Sequence, residues 1–165
     1  MTLRILLAAT LVAGSTLCGK SLAGSARRRA ELLASLAAGM RALSVRMMNL
    51  FEPLPQGLAA CGCPMLTQLA AEMADGRSAG EAWSALRKHR RGPSDSLTEA
   101  DTRILDSLFE RLGESGRAQQ ELLLSGAAQS LECQRDEARA RAGEAERLYV
   151  TLGLLIGLML ALIVI

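Results

Sequence analysis

The stretch that most constrains this chain is its last eighteen residues, Leu148 to Ile165 (LYVTLGLLIGLMLALIVI), which carry no charged side chain. Eighteen helical residues reach about 27 Å, close to the hydrocarbon thickness of a bilayer. In lipid the backbone must satisfy its own hydrogen bonds, so the segment is expected to be a membrane helix. It is entered through Arg147 and Tyr149, a cation and an amphipathic ring suited to the interface. Gly153, Gly157 and Ala161 form a stripe of small residues at four-residue spacing, a candidate packing surface for another helix.

The other end repeats the theme. Leu3 to Gly19 is apolar except for Arg4, and reads as an uncleaved anchor rather than a signal peptide. Only Arg4 precedes this run, whereas Lys20, Arg27, Arg28 and Arg29 follow it. Arg135, Arg139, Arg141 and Arg147 precede the second run. Positive flanks stay in the cytoplasm, so both runs place the middle on the cytoplasmic side and both termini across the membrane. The expected division is 1–24 as an N-terminal transmembrane helix, 25–131 as a helical bundle, 132–147 as a polar helical stalk and 148–165 as a C-terminal transmembrane helix.

All 17 acidic residues lie between the apolar ends, as do all of the 19 Lys and Arg except Arg4 and Lys20. The middle is therefore formally neutral, which weighs against a nucleic-acid binder. Phe51, Trp83, Phe109 and Tyr149 are the only aromatics, so the core must be aliphatic and helical.

Periodicity and turn chemistry divide the middle into helices. Leu32, Leu36, Met40, Leu43, Met47 and Leu50 predict one face of a long helix that continues from the first apolar run. Glu52-Pro53-Leu54-Pro55 stops it, because proline cannot continue a helix and restricts its predecessor. A short helix over Pro55 to Ala60 is broken by Cys61-Gly62-Cys63-Pro64. The next helix, with Pro64 in its first turn, carries Leu66, Leu69, Ala70 and Met73 and ends at Asp75-Gly76. Ser78 and Glu81 read as a capping box opening a helix that carries Leu86 and, as a core residue, Trp83. Arg87 to Ser96 reads as a loop. Its cations Arg87, Lys88, Arg90 and Arg91 form a solvated rim, with contact to anionic lipid or an acidic partner as the functional alternative. Thr98 caps the next helix with Asp101 three residues on; Ile104, Leu105, Leu108 and Leu112 are its apolar face and Gly113 closes it. A last helix starts near Arg117, apolar through Leu123, Leu124, Ala127 and Leu131. From Glu132 to Arg147 it is polar and alternates charge, predicting exposed helix with local ion pairs.

No reaction centre emerges. The chain has no phosphate-cradling glycine loop, no serine elbow and no Cys–His partnership, and its carboxylates fall at helix starts or on the polar stretch. His89, the single histidine, sits among cations, and Cys61-Gly62-Cys63 lacks a second ligand pair, so neither zinc nor any other cofactor is expected. Cys18 and Cys133 complete a set that implies no disulfide framework. The expectation is a protein that is not an enzyme.

Several separated segments resemble one family, the stage III sporulation protein AB of endospore-forming bacteria. They are Glu52-Pro53-Leu54-Pro55, Glu81-Ala82-Trp83, Leu97-Thr98-x-x-Asp101-x-x-Ile104-Leu105, Leu112-Gly113, Gln119-Gln120, and the closing Tyr149-x-x-Leu152-Gly153-x-Leu155-x-Gly157-Leu158. The motif residues Pro53, Leu54, Pro55, Trp83, Asp101, Gly113 and Gln120 are structural in this reading. The resemblance implies an all-α fold, a small cytoplasmic helical bundle like a single copy of the type II secretion F domain, flanked by the two transmembrane helices. It implies a mother-cell membrane protein facing the forespore, part of the channel assembled during engulfment, with a secretion-type ATPase (stage III sporulation protein AA) and other channel components as partners. Membrane lipid and a further copy of the chain complete the expected partners, and nucleic acid is not among them. A membrane-tethered regulator or chaperone that sequesters a soluble partner is the alternative, as is an exported domain held by its tail.

Overall fold

The computed structural model describes residues 2–88, 96–114 and 116–164; side chains in 2–23 and most of those in 149–164 lie outside the described residues. Six helices carry the described chain: α1 (Thr2–Asn49), α2 (Leu54–Ala59), α3 (Pro64–Met73), α4 (Ala79–Lys88), α5 (Glu99–Phe109) and α6 (Arg117–Val164). The fold is all-helical, with no strand among the described residues. Internal contacts divide it into two compact units. One is Arg29–Asp136, and the other is Met1–Arg28 together with Glu137–Ile165.

In Arg29–Asp136 the core is aliphatic, as the scarcity of aromatic residues demands. Leu33, Leu36, Met40 and Leu43 of α1 are fully enclosed, together with Leu58, Leu66, Leu69, Leu105, Phe109, Leu124 and Leu131. Each such leucine contributes about 1.5–3 kcal/mol relative to an exposed one. The expected face of α1 is displaced at both ends. Leu33 is enclosed where Leu32 is only partly buried, and Leu50 is 60% exposed. α1 ends at Asn49, and Phe51 then takes φ 55, a left-handed turn that carries Leu50 and Phe51 outward.

The two Pro-marked breaks fall where expected. Pro55 lies in the first turn of α2 and Pro64 in the first turn of α3, where a missing N–H has no helical partner to lose. α3 packs so closely on α1 that a Cβ at Gly39 would lie 2.6 Å from Leu66 Cδ1. A larger residue there would force Leu66, a buried side chain, to shift. α5 stops at Phe109, earlier than Gly113, and Gly113 with φ 97 closes the turn that follows. α4 extends through Lys88, so Arg87 and Lys88 are the last turn of a helix rather than the start of a loop. Arg90 and Arg91 lie outside the described residues.

The polar stretch after Glu132 is not the purely exposed helix that its charges predict. Ala138 and Ala142 are buried, and Arg27 of α1 pairs with Glu146 of α6 at 2.6 Å within the second unit. Arg41 likewise reaches Glu132 across helices at 2.6 Å in the first. Of the pairs along this stretch, Glu137–Arg141 is the local i, i+4 kind. Alternating charge cannot distinguish a lone helix from one with a neighbour, because small alanines leave a weak apolar signal.

Candidate functional site

The stripe Leu33–Leu36–Met40–Leu43 extends one further step backward, at heptad-like spacing, to Arg29. Its side chain is therefore carried inward. It meets Asp101, which is fully enclosed. Arg29 Nε donates to one carboxylate oxygen and an Arg29 terminal nitrogen to the other, each at 2.8 Å. That same terminal nitrogen donates to Thr98 Oγ1 at 3.1 Å and to Gln134 Oε1 at 2.9 Å. One guanidinium thus joins α1, the start of α5 and α6. The planar fork of arginine suits this task, and a bidentate pair of this kind is worth more than a single contact.

Asp101 has a second duty. Its carboxylate accepts the Thr98 backbone N–H at 2.9 Å, while Thr98 Oγ1 accepts from the Asp101 N–H, completing a capping box. Burial alone would raise the carboxyl pKa, but the hydrogen bonds from Arg29 and Thr98 and the Arg29 charge outweigh it and hold Asp101 below the usual aspartate value. It is a fixed anion.

A second carboxylate links α4 to α5. Trp83 Nε1 donates to Asp106 Oδ1 at 2.6 Å, and Arg87 meets both Asp106 oxygens at 2.7 and 2.8 Å. Trp83 itself is buried against Phe109, ring centroids 5.2 Å apart. Its indole is anchored at the polar end and packed at the apolar end, as a core residue.

Beside this cluster an open groove of about 770 Å³ runs between the start of α4 and the end of α5. Leu54, Met73, Phe109 and Leu112 supply its apolar lining, and Arg77, Glu81, Lys88, Glu110 and Glu114 supply charge. Arg77 is neutralised by Glu72. Glu81 caps α4, accepting the Ser78 backbone N–H at 2.9 Å, and its pKa is lowered first by that bond. Glu110 and Glu114 form no ion pair among the described residues.

Among the described residues the thiols offer no competing centre. Cys63 is buried, Cys61 donates to Gly57 O at 2.9 Å, and burial, the largest influence on it, pushes the Cys61 thiol pKa up, away from the reactive thiolate. Cys61, Cys63 and Cys133 are free. Among the described residues no group of three or more His, Cys, Asp or Glu side chains is placed to hold a metal ion.

The family model for stage III sporulation protein AB (spore_III_AB) matches residues 4–165. The chain belongs to that family. Membership gives it a role in stage III of sporulation. No curated protein and no solved structure matches the chain.

The motif residues of this sporulation family take plain structural places. Pro53 is the N-cap of α2, Leu54 and Pro55 form its first turn, and Gln120 is buried on α6. Of the four basic residues expected on a rim, Arg87 is held by Asp106, and Lys88 borders the groove. Gly153, Gly157 and Ala161 lie on α6, with their surroundings outside the described residues. Arg29 and Gln134 are the site residues that motif reading passes over. The backward extension of the α1 stripe was the signal for Arg29. Gln134 has none, since a glutamine in a polar helix looks solvated.

Proposed function

We propose that this sporulation protein is a non-enzymatic membrane platform that docks a cytoplasmic secretion-type ATPase, stage III sporulation protein AA, beside the channel between mother cell and forespore. The bundle is read as a single type II secretion F-like domain on the mother-cell cytoplasmic side. Residues 1–24 and 148–165 are read as its transmembrane helices, with both termini on the far side and membrane lipid around them. Among the described residues no helix is long and apolar enough to cross a membrane. What supports the reading at this end is the exposed apolar stripe Leu148, Leu152, Leu155 and Met159, four large side chains at helical spacing with no cover.

The observation that carries the docking proposal is the contrast in commitment of charge. Arg29, Asp101, Arg87 and Asp106 are held in internal pairs, whereas Glu110 and Glu114 stand uncommitted at the edge of an apolar-lined groove. A groove with free carboxylates accepts a basic, partly apolar segment of a partner.

Co-purification of the full chain in detergent with the ATPase tests it. Wild type is expected to retain the ATPase and Glu110→Lys/Glu114→Lys to lose it; retention of neither, or of both, sinks the docking role. Charge reversal at Lys88, Arg90 and Arg91 separately tests the basic side, leaving Arg87 in its pair. Cysteine labelling near Ser94 tests the topology, and reaction in intact cells without permeabilisation would place the bundle outside.

A further inference from the structure

The groove between α4 and α5 does not carry one sign of charge along its length. α4 begins against the end of α5, where a Cβ on Gly80 would lie 3.5 Å from the Phe109 carbonyl oxygen and 3.6 Å from Glu110 Cα. Glu110 therefore borders the groove at the start of α4, with Glu114 shortly after it in the chain. Lys88 borders the groove from the last turn of α4, about 12 Å further along that helix. Like Glu110 and Glu114, Lys88 forms no ion pair among the described residues. The other cations nearby are committed, Arg77 to Glu72 and Arg87 to Asp106. Glu81, in the first turn of α4, adds to the acidic end while it serves as a cap. One end of the groove is thus acidic, the other basic, and Leu54 and Met73 contribute apolar surface to its lining.

We propose that this groove takes an amphipathic helix of the partner with an acidic first turn and a basic last turn, lying antiparallel to α4. The proposal rests on the docking role above and adds the charge order and direction of the docked segment. A helix is stabilised by anions in its first turn and cations in its last, the order that α4 itself has in Glu81, Arg87 and Lys88. Antiparallel to α4, a helix of that order sets its basic end over Glu110 and Glu114 and its acidic end over Lys88. Laid parallel, it would set like charges against each other at both ends, which selects against that direction. Apolar side chains at three- and four-residue spacing between the charged turns face Leu54 and Met73. Two free carboxylates against one lysine favour a segment that is basic overall.

Two labelled synthetic peptides of about twelve residues, three helical turns, test the charge order. Both are made of leucine, alanine, glutamate and lysine in the same proportions. One has its glutamates in the first turn and its lysines in the last, and the other has the reverse. Fluorescence anisotropy reads their binding to the full chain in nonionic detergent at low salt, with detergent alone as the blank. Wild type is expected to bind the acid-first peptide about tenfold more tightly, a difference that shrinks as salt is raised. Lys88→Glu/Glu110→Lys/Glu114→Lys reverses the groove and is expected to reverse the preference. An intrinsic difference in helicity between the peptides would persist in that variant, so inversion assigns the preference to the groove. All three positions are exposed, and circular dichroism verifies the fold of the variant. Equal binding of the two peptides by wild type, binding of neither, or a preference unchanged in the reversed groove would each overturn the proposal. Retention of the ATPase decides the docking role separately. An ATPase held by wild type alongside undiscriminated peptides removes the charge order and leaves docking; discrimination without a retained ATPase does the opposite.

Discussion

Two helices of the bundle start with the same device, and the device does different work in each. Ser78 and Glu81 cap α4 at the surface; Thr98 and Asp101 cap α5 in the interior. The side chain–backbone exchange is alike in both. At α5, however, Arg29 also reaches Asp101 and Thr98, and through Gln134 the same guanidinium ties in α6. A capping box in water satisfies two backbone amides. Enclosed beside an arginine, it also sets where three helices meet.

Asp101→Asn should separate the two most sharply. It removes the charge opposite a buried guanidinium, and breaking a buried pair from one side costs about 3–5 kcal/mol. Chemical unfolding of the full chain followed by the fluorescence of Trp83, the sole tryptophan, reads it. A loss no larger than that of Ser78→Ala would erase the distinction.

The pH dependence follows from the same carboxylate. Its folded pKa is below the ordinary aspartate value of about 3.9. Its contribution is therefore complete above that value and is lost as pH falls through the lowered one. Wild type should lose stability on acidification below about pH 4, and Asp101→Asn should show a shallower loss there. Equal acid slopes in the two proteins would move the effect elsewhere.

Thr98→Ala comes next, at about 1–2 kcal/mol, because Thr98 Oγ1 serves Arg29 as well as the helix. Ser78→Ala should lie lower, at about 0.5–1 kcal/mol, with nothing beyond its own cap to lose. The order of these two matters more than either value, and a reversal in unfolding midpoints would contradict the coupling. Glu110→Lys/Glu114→Lys should change stability least, within about 0.5 kcal/mol, while abolishing ATPase retention. A large loss of stability would show those carboxylates to be structural.

Much of the bundle was legible in advance because proline, glycine and capping residues punctuate it. Pro55, Pro64, Ser78, Thr98 and Arg117 mark helix starts that the structure reproduces within a residue or two. Less was legible where one residue type serves two environments. Arg29 follows the first apolar run as one of several cations, and charge alone does not reveal which of them is a buried partner. Phe109 escaped notice as a core residue because Leu108 and Leu112 satisfied the helical period without it, yet it is 1% exposed. Ala138 and Ala142 are hidden in a charged stretch that outweighs two methyl groups. The open groove has no sequence signature, because it arises from elements far apart in the chain.

The residues that meet at Arg29 also impose an order of events on synthesis. Asp101 lies 72 residues further along and Gln134 lies 105, so segments far apart in the chain must find each other before the node exists. Until α6 emerges from the ribosome, the core that Leu33, Leu36, Met40 and Leu43 share with Leu124 and Leu131 is incomplete. Such long-range closure is slow and leaves apolar surface open to misassociation. α6 is thus made after the other five helices and is the one that seals the bundle. A nascent chain truncated before Gln134 would present a sticky first helix to chaperones and proteases rather than a smaller version of the same fold.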